Sequence, residues 1–300
     1  MRSWIRAFVD VDTPGGWQWT RRLARRAGLA GVVLLAIGLI AALAPFISPY
    51  DPIAQPDIVA MKNLAPSLAH PFGTDSYSRD VLSRCMYGAR ISLAVATLAT
   101  VIAVTFGTLY GAIAGYAGGA VDAFMMRLVD AALAIPRVLL LIAVLALWNG
   151  LSLWLLVAVL GATGWFGLSR MVRAQVLALR ELDFVSAARS LGASGPRILL
   201  RHILPNVVPT IIVAVTLGIG HVIILEAGLS YLGLGVQPPT ASWGSIIQDG
   251  ADQVGTSWWI SLFPGLLIVT TAIAFNSLGD AISLAFDPRR RAATMQELDS

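Results

Sequence analysis

Three histidines and one cysteine are the residues of this 300-residue chain that could supply a general base, a nucleophile or a soft metal ligand. The apolar runs predict that His70 lies in an external loop, His202 in a cytoplasmic loop and His221 within a membrane span. Neither a catalytic site nor a metal site is predicted, because these positions are far apart and no two histidines share helical spacing. Cys85 has no second cysteine to pair with. We interpret His221 as a buried hydrogen-bonding residue, with contact to a solute as the alternative.

Ionisable residues in or beside apolar spans form a second group of candidates, because such residues normally face a bundle interior or a cavity. Arg127 and Asp130 are three residues apart, which predicts an ion pair on one helical face. The alternative is that they line a solute path or contact a partner subunit. For Glu226, near the outer end of a span, we favour a structural role over attraction of a cationic group on a solute. Asp130, His221 and Glu226 are therefore candidate gating or pathway residues.

The most informative segment is a cytoplasmic loop at residues 180–206. Its first half predicts an apolar stripe on a short helix, formed by Phe184, Ala187, Ala188 and Leu191. Gly192 suits a C-terminal cap, and Ser194 with Pro196 suits the start of a second helix. We expect a compact helix–turn–helix outside the membrane.

Two kinds of partner would suit this loop. Small alanines permit close approach by another protein, and Arg189, Arg197 and Arg201 would form a charged rim around the contact. The same arginines would also favour an interfacial helix that rests on anionic lipid headgroups. The residues themselves leave both interpretations open.

The loop resembles the cytoplasmic motif of permeases from binding-protein-dependent ABC importers, which reads Glu-Ala-Ala, three residues, Gly, nine residues and Ile-x-Leu-Pro. The positions that match with the expected gaps are Ala187, Ala188, Gly192, Leu204 and Pro205. Ser186 stands at the Glu position and His202 at the Ile position, so an ion pair from that Glu is not assumed. The resemblance implies docking on an ATPase through a set of coupling residues: Phe184, Ser186, Ala187, Ala188, Arg189, Leu191, Gly192, Ala193, Leu204 and Pro205.

Further motifs resemble the C-type permeases of dipeptide, oligopeptide and nickel importers. They occur in the family's order between about residues 27 and 290, at 70–75, 79–84, 87–93, 115–119, 226–235, 237–239, 242–244 and 287–289. Each motif is weak alone, but the combination is specific. On this resemblance, the chain is identified as a member of that permease family.

The resemblance implies a pore shared with a homologous B-type permease, two ABC ATPase subunits on the cytoplasmic side and an extracytoplasmic solute-binding protein. ATP and Mg²⁺ would bind to the ATPase subunits, and this chain would bind no cofactor. The residues agree, because a P-loop needs Gly-Lys before Ser or Thr and Lys62, the single lysine, precedes Asn63. A non-catalytic subunit in a bacterial plasma (inner) membrane is expected.

Peptides are the expected cargo, and nickel or other small solutes are the alternatives. The rival transport class is a gradient-driven secondary carrier or channel. It would predict paired repeats with broken helices, or a chain of intramembrane carboxylates, and neither is evident in the sequence. A scaffold that recruits a cytoplasmic protein without transporting anything is a third interpretation.

Composition defines the elements that must position these residues. Hydrophobic residues make up 57% of the chain and charged residues 13%, whereas soluble domains carry roughly a quarter charged residues. Runs long enough to cross a membrane occur near 28–47, 91–115, 125–148, 151–171, 206–228 and 258–285. Each must be helical, because lipid offers the backbone no hydrogen-bond partner. We predict an all-α, multi-pass integral membrane protein with about six transmembrane helices.

The distribution of arginines predicts that both termini and the loop between spans four and five are cytoplasmic. The coupling helix that the resemblance implies lies in this loop. The net charge of +4 does not indicate nucleic-acid binding, because the cations flank the spans. The predicted organisation is a cytoplasmic Arg-rich leader at 1–26, a first span with an external segment at 27–90, a five-helix permease domain at 91–286 and a cytoplasmic tail at 287–300. The coupling loop occupies 172–205 of the permease domain.

Two segments near the first span carry expectations of their own. The run Ala42-Leu43-Ala44 resembles a signal-peptidase site, but Pro45 follows it and the leader is long, so we favour an uncleaved anchor. The external stretch at 48–90 is rich in Pro and Asp. It is predicted to form a small ordered cap or an amphipathic segment along the outer interface.

Overall fold

The structure of the chain is a computed structural model. It describes the backbone of residues 16–148 and 152–286 and the side chains from residue 27 onward within those ranges. Most of the predicted Arg-rich leader, the predicted tail and the motif at 287–289 lie outside the described residues.

Helices form nearly all the regular structure of the described ranges. They are α1 (Gly16–Ile47), α2 (Val81–Ala117), α3 (Gly119–Leu133), α4 (Arg137–Ala146), α5 (Leu153–Gly164), α6 (Phe166–Arg180), α7 (Asp183–Ser190), α8 (Gly195–Ile198), α9 (Leu204–Tyr231), α10 (Trp243–Gly250) and α11 (Trp259–Ala285). A π-helical turn at Leu199–Ile203 joins α8 to α9. Those ranges hold no β-strand, only an isolated bridge between Thr74 and Asp80. The predicted all-α fold is confirmed.

Helix length and hydropathy identify the membrane spans. Five stretches are long and apolar enough to cross a bilayer: Ala27–Ile47, Val81–Ala117, Leu153–Arg180, Gly195–Tyr231 and Trp259–Ala285. A sixth candidate span consists of α3 and α4, which meet at a bend of 76°. The prediction of about six transmembrane helices is confirmed.

The second span begins earlier than its apolar run predicts. α2 starts at Val81, about ten residues before the predicted boundary at 91. Its N-cap is Asp80, whose carboxylate accepts a hydrogen bond from the backbone N–H of Ser83 at 2.7 Å. Such a cap satisfies one of the free N–H groups of the first turn, so the helix extends beyond the apolar region.

The third span, predicted near 125–148, is interrupted by a break that the prediction did not include. α3 ends at Leu133, and α4 begins only at Arg137. Pro136 lies between them; it has no N–H for a helical hydrogen bond, and it disfavours helical backbone in the residue that precedes it. The break therefore places Arg137 at the start of a new helix.

α2 and α6 approach each other through a row of glycines. Gly107, Gly111 and Gly115 recur every four residues on α2. A Cβ at Gly107 would lie 3.0 Å from the carbonyl oxygen of Trp165, and one at Gly115 would lie 2.8 Å from that of Arg173. Small residues of this kind let membrane helices pack through close van der Waals contact. The pair forms a compact centre for the bundle.

We call the end of the bundle formed by residues 48–80 and 232–258 the cap end. Arg79 donates a hydrogen bond to Asp75 at 2.6 Å, and Arg84 donates to Asp75 at 2.6 Å and to Asp249 of α10 at 2.7 Å. The two arginines and Asp75 are buried. This network ties residues 48–80 to α10 as an ordered cap, whereas 81–90 belong to α2.

Candidate functional site

α7 presents two different sides at the opposite end of the bundle, which we call the loop end (residues 181–203). Val185 is fully buried and Ala188 is half-buried against the spans, whereas Phe184 and Ala187 are exposed. Leu191, which follows the helix, is 89% exposed. The predicted apolar stripe therefore exists, and most of it faces away from the chain's own core.

Gly192 ends α7 in a tight turn. Its φ of +82° lies in the left-handed region, which costs a residue with a side chain roughly 1–2 kcal/mol. The N–H of Ala193 donates to the carbonyl of Ala188 at 3.1 Å, and the N–H of Gly192 donates to that of Arg189 at 3.0 Å. These two bonds form a Schellman motif, so the predicted glycine cap is confirmed.

The second half of the loop also follows its predicted chemistry. Ser194 is the N-cap of α8 with extended backbone, and Pro196 lies in the first turn. The π-helical turn then leads into α9, where Leu204 is half-buried and Pro205 is exposed in the first turn. We call residues 183–198 the α7–α8 unit.

The α7–α8 unit is anchored to three spans by one apolar cluster. Its buried members come from the unit and the π-helical turn, from α2, from α6 and from α9: Val185, Ile198, Ile203, Ala112, Val172, Val176 and Val207. Arg180, at the end of α6, adds a hydrogen bond to the carbonyl of Tyr116 at 3.1 Å. Because the unit packs directly on the spans, a force applied to it is transmitted to them.

The remaining predicted coupling residues surround this anchored core. Ser186 is exposed, and its carbonyl accepts a hydrogen bond from Ser190 Oγ at 3.1 Å. Ala193 is half-buried. Three arginines are exposed and form no ion pair with any residue that the structure describes: Arg189, Arg197 and Arg201. The unit thus presents an apolar stripe beside a cationic rim.

Glu226 lies in the interior, far from the loop end. Its side chain is 0% exposed and accepts hydrogen bonds from Ser92 Oγ at 2.9 Å and Ser230 Oγ at 2.7 Å. Ser92 Oγ also accepts a hydrogen bond from the backbone N–H of Trp243 at 3.2 Å. The carboxylate therefore joins α2, α9 and α10, a geometry that favours the structural role over contact with a solute.

The predicted ion pair between Arg127 and Asp130 was wrong. Asp130 instead faces Arg170 of α6, with an N···O distance of 3.7 Å, and Arg127 forms no ion pair with a described residue. Both partners of the observed pair are more than half exposed, at 59% for Asp130 and 58% for Arg170. α6 runs beside α3 and brings Arg170 to the carboxylate, a contact between distant residues that helical spacing does not reveal.

His221 does not lie where the sequence suggests. It was predicted as a buried hydrogen-bonding residue, but it is exposed on α9 and forms no hydrogen bond to a described residue. The covered side of α9 carries Ile219, Gly220, Val222 and Ile223 instead. The alternative, contact with a solute, remains an expectation.

Several charged residues that position the spans were not predicted as functional. Arg173 of α6 binds both carboxylate oxygens of Asp122 on α3, each at 2.5 Å. Arg137 donates to the carbonyl of Leu160 at 2.9 Å. The spacing of arginines at 170, 173 and 180 along one apolar span was the available signal. The groups they bind lie on other helices, so the sequence alone did not identify them.

Comparison with known proteins agrees with this architecture. Residues 107–292 match the family described as "Binding-protein-dependent transport system inner membrane component". Residues 18–66 match the family described as "N-terminal TM domain of oligopeptide transport permease C". The two matches together cover the first span and the permease domain from the last part of α2 onward.

Curated relatives resemble the chain over most of its length. The dipeptide transport system permease protein DppC of Bacillus subtilis is 40% identical over 275 residues, which cover 91% of this chain and 85% of the relative. A putative peptide permease protein of Brucella suis biovar 1 is 45% identical over 272 residues, covering 90% and 89%. The oligopeptide transport system permease protein OppC of Haemophilus influenzae is 38% identical over 280 residues, covering 92% and 89%. The chain belongs to the inner membrane components of binding-protein-dependent transport systems, as a transmembrane permease subunit.

Proposed function

We propose that this permease subunit forms half of a membrane pathway for peptides and that a homologous B-type permease forms the other half. Relatives that align with nine-tenths of the chain are named as dipeptide and oligopeptide permeases. Many large apolar side chains of the spans are exposed in the single chain, as expected for a membrane subunit that is completed by lipid and by a second subunit. Import of peptides is the function that these features support best.

The observation that carries the coupling part of the proposal is the exposed apolar stripe of α7 on an anchored unit. Leu191 and Phe184 project from the loop end, while Val185 and Ile198 hold the unit against the spans. An exposed apolar surface with a cationic rim fits the surface of another protein. We assign this surface to one ABC ATPase subunit. A second ATPase subunit would dock on the partner permease.

The proposed orientation follows from this assignment. The loop end and both termini face the cytoplasm, and the cap end faces outward, where a solute-binding protein delivers cargo. ATP and Mg²⁺ belong to the ATPase subunits, because the chain's one lysine, Lys62, is not part of a P-loop motif. This chain contributes the pathway and the mechanical link.

The proposed mechanism is transmission of a rigid-body movement. Closure of the two ATPases on ATP displaces the α7–α8 unit, and the shared apolar cluster carries that displacement into α2, α6 and α9. Packed cores respond by switching between discrete arrangements rather than by stretching. The pathway then alternates between outward-facing and inward-facing states.

The first test is copurification in mild detergent with a tag on this chain. We expect recovery of a second permease and ATPase subunits, with ATP hydrolysis by the complex. Leu191→Asp is expected to release the ATPases because it places a charge in the apolar contact. Leu68→Asp is the matched control, since Leu68 is equally exposed at the cap end, and it should retain them.

The outcome also decides between transport classes. Loss of ATPases in both variants, or in neither, would contradict docking through α7. Recovery of the chain alone, with solute movement that persists after ATP is removed, would favour a gradient-driven carrier or channel. The bend between α3 and α4 is the one broken span in the described ranges, whereas a carrier built from repeats would have a pair.

A further inference from the structure

Arg137 is an arginine at mid-membrane depth. It opens α4 directly after the break, and its Nη2 donates to the carbonyl of Leu160 at 2.9 Å. A Cβ at Gly164 would lie 3.0 Å from the same Nη2. Gly164 lies eleven residues after Leu153 in its span, which corresponds to about 16 Å along the helix axis. The guanidinium is therefore close to the middle of a hydrocarbon layer roughly 30 Å thick.

No carboxylate among the described residues forms an ion pair with Arg137. Its guanidinium uses Nη2 for Leu160 and Nε for a longer contact to Thr163 Oγ1 at 3.4 Å. Three of its five N–H groups have no partner in the described ranges. An arginine at this depth is tolerated when it faces a water-filled cavity or a partner of opposite charge.

Exposed apolar side chains adjoin Arg137 in sequence, including Ile135, Val138 and Leu139, but one ionisable side chain lies near it on another helix. His221 of α9 is exposed and lies within electrostatic range of the guanidinium. Nearer the loop end, Asp130 and Arg170 are both more than half exposed. Arg137 and His221 lie deeper within their candidate spans, where ionisable groups disfavour contact with acyl chains. These two residues therefore mark the part of the chain that borders the pathway.

We propose that Arg137 binds the C-terminal carboxylate of a peptide as the cargo crosses the membrane midplane. The proposal rests on the proposed function, and it adds the chemical group that this chain recognises. A guanidinium matches a carboxylate through two parallel hydrogen bonds. Because every linear peptide has this carboxylate, one arginine serves cargo of any sequence. Leu160 and Thr163 already hold the side chain in place, so its position does not need a permanent counter-ion.

The test compares trialanine with trialanine amide, which lacks the carboxylate. The complete complex is reconstituted in liposomes, and uptake of each peptide is measured with the binding protein saturated by it. Arg137→Gln is expected to lower the acid-to-amide uptake ratio about tenfold, the effect of losing a charge-assisted hydrogen bond. Arg137→Lys should retain part of the preference. Lys62→Gln, which removes one exposed charge at the cap end, should leave the ratio unchanged.

A structural effect is distinguished by a second readout, the ATPase activity stimulated by loaded binding protein, which should persist in Arg137→Gln. An equal loss of uptake for both peptides would overturn the proposal. It would indicate that Arg137 stabilises the fold or pairs with a carboxylate of the partner permease. An unchanged ratio, or a wild-type complex that moves both peptides equally, would also overturn it while leaving peptide transport intact. If the wild-type complex hydrolyses ATP but moves neither peptide, the proposed cargo fails and this proposal fails with it.

Discussion

Arg173 of α6 binds Asp122 of α3 through two hydrogen bonds, each 2.5 Å long. The pair fixes the first half of the bent span to α6, whose last turn leads directly into the α7–α8 unit. Arg173 also forms part of the surface that contacts the glycine row of α2. One ion pair therefore lies where the bent span, the glycine contact and the start of the α7–α8 unit meet.

Asp122→Asn is expected to lower the apparent melting temperature of the purified complex by roughly 3–8 °C, because one charge loses its partner in a partly buried site. The measurement is a thermal melt in detergent. Asp130→Asn is the matched control, since that carboxylate is 59% exposed and its pair with Arg170 is longer; it should shift the melting temperature by much less. Equal shifts would contradict a special role for the Asp122 pair.

Gly192→Val is expected to separate ATP hydrolysis from uptake, because valine is strained at a φ of +82° and the turn must rearrange. Uptake per ATP hydrolysed should fall by roughly tenfold, the effect of 1–2 kcal/mol of strain. A Cβ at this position meets nothing within 4 Å, so overlap of that Cβ with the rest of this chain does not explain the result. Gly192→Asn is the control, because Asn tolerates left-handed backbone. Wild-type coupling in Gly192→Val would contradict the role of the turn.

Gly111→Ala is expected to weaken the contact between α2 and α6. Its new methyl group would lie 3.0 Å from Val172 Cβ and 3.1 Å from the backbone nitrogen of Arg173, so the helices must separate. We expect a lower melting temperature and reduced recovery of the complex. Gly31→Ala on α1 adds the same methyl group where nothing lies within 4 Å. A similar loss of melting temperature and recovery in both variants would show that the effect does not depend on the contact between α2 and α6.

Glu226→Gln is expected to affect stability without changing selectivity. The buried side chain accepts hydrogen bonds from Ser92 and Ser230 through its two oxygens, and an amide keeps only one of these acceptors. Uptake of cationic and neutral peptides should fall by the same factor, alongside a lower melting temperature. A loss confined to cationic peptides would instead support recognition of cargo by Glu226.

Local chemistry explains the predictions that succeeded. A run of about 20 apolar residues can only be a membrane helix, so five spans and the bent sixth could be located from hydropathy. Gly192, Ser194 and Pro196 each have a backbone preference that acts within a few residues, and the turn and the start of α8 follow from it. The break at Pro136 had the same local origin, but the length of the apolar run concealed it.

Contacts between distant residues explain the predictions that failed. Arg127 and Asp130 have the spacing of a helical pair, yet Asp130 faces Arg170, forty residues away in the chain. His221 has the polarity of a buried hydrogen-bonding group, but the rotation of α9 exposes it. Neither the packing partner of a helix nor its rotation about its own axis is encoded in local spacing.

The sequence by itself determined the membrane class, the number of spans, the turn at Gly192 and the permease family, because these depend on hydropathy, backbone preference and motif order. Only the tertiary structure decided that Glu226 is buried among serines, that Asp75 and Asp249 share two arginines, and that Arg137 binds the carbonyl of Leu160 without a described counter-ion. The physical reason is that burial and charge pairing depend on which helices pack together. In a lipid-embedded bundle, that packing is set by contacts such as the glycine row of α2, which join residues far apart in the chain.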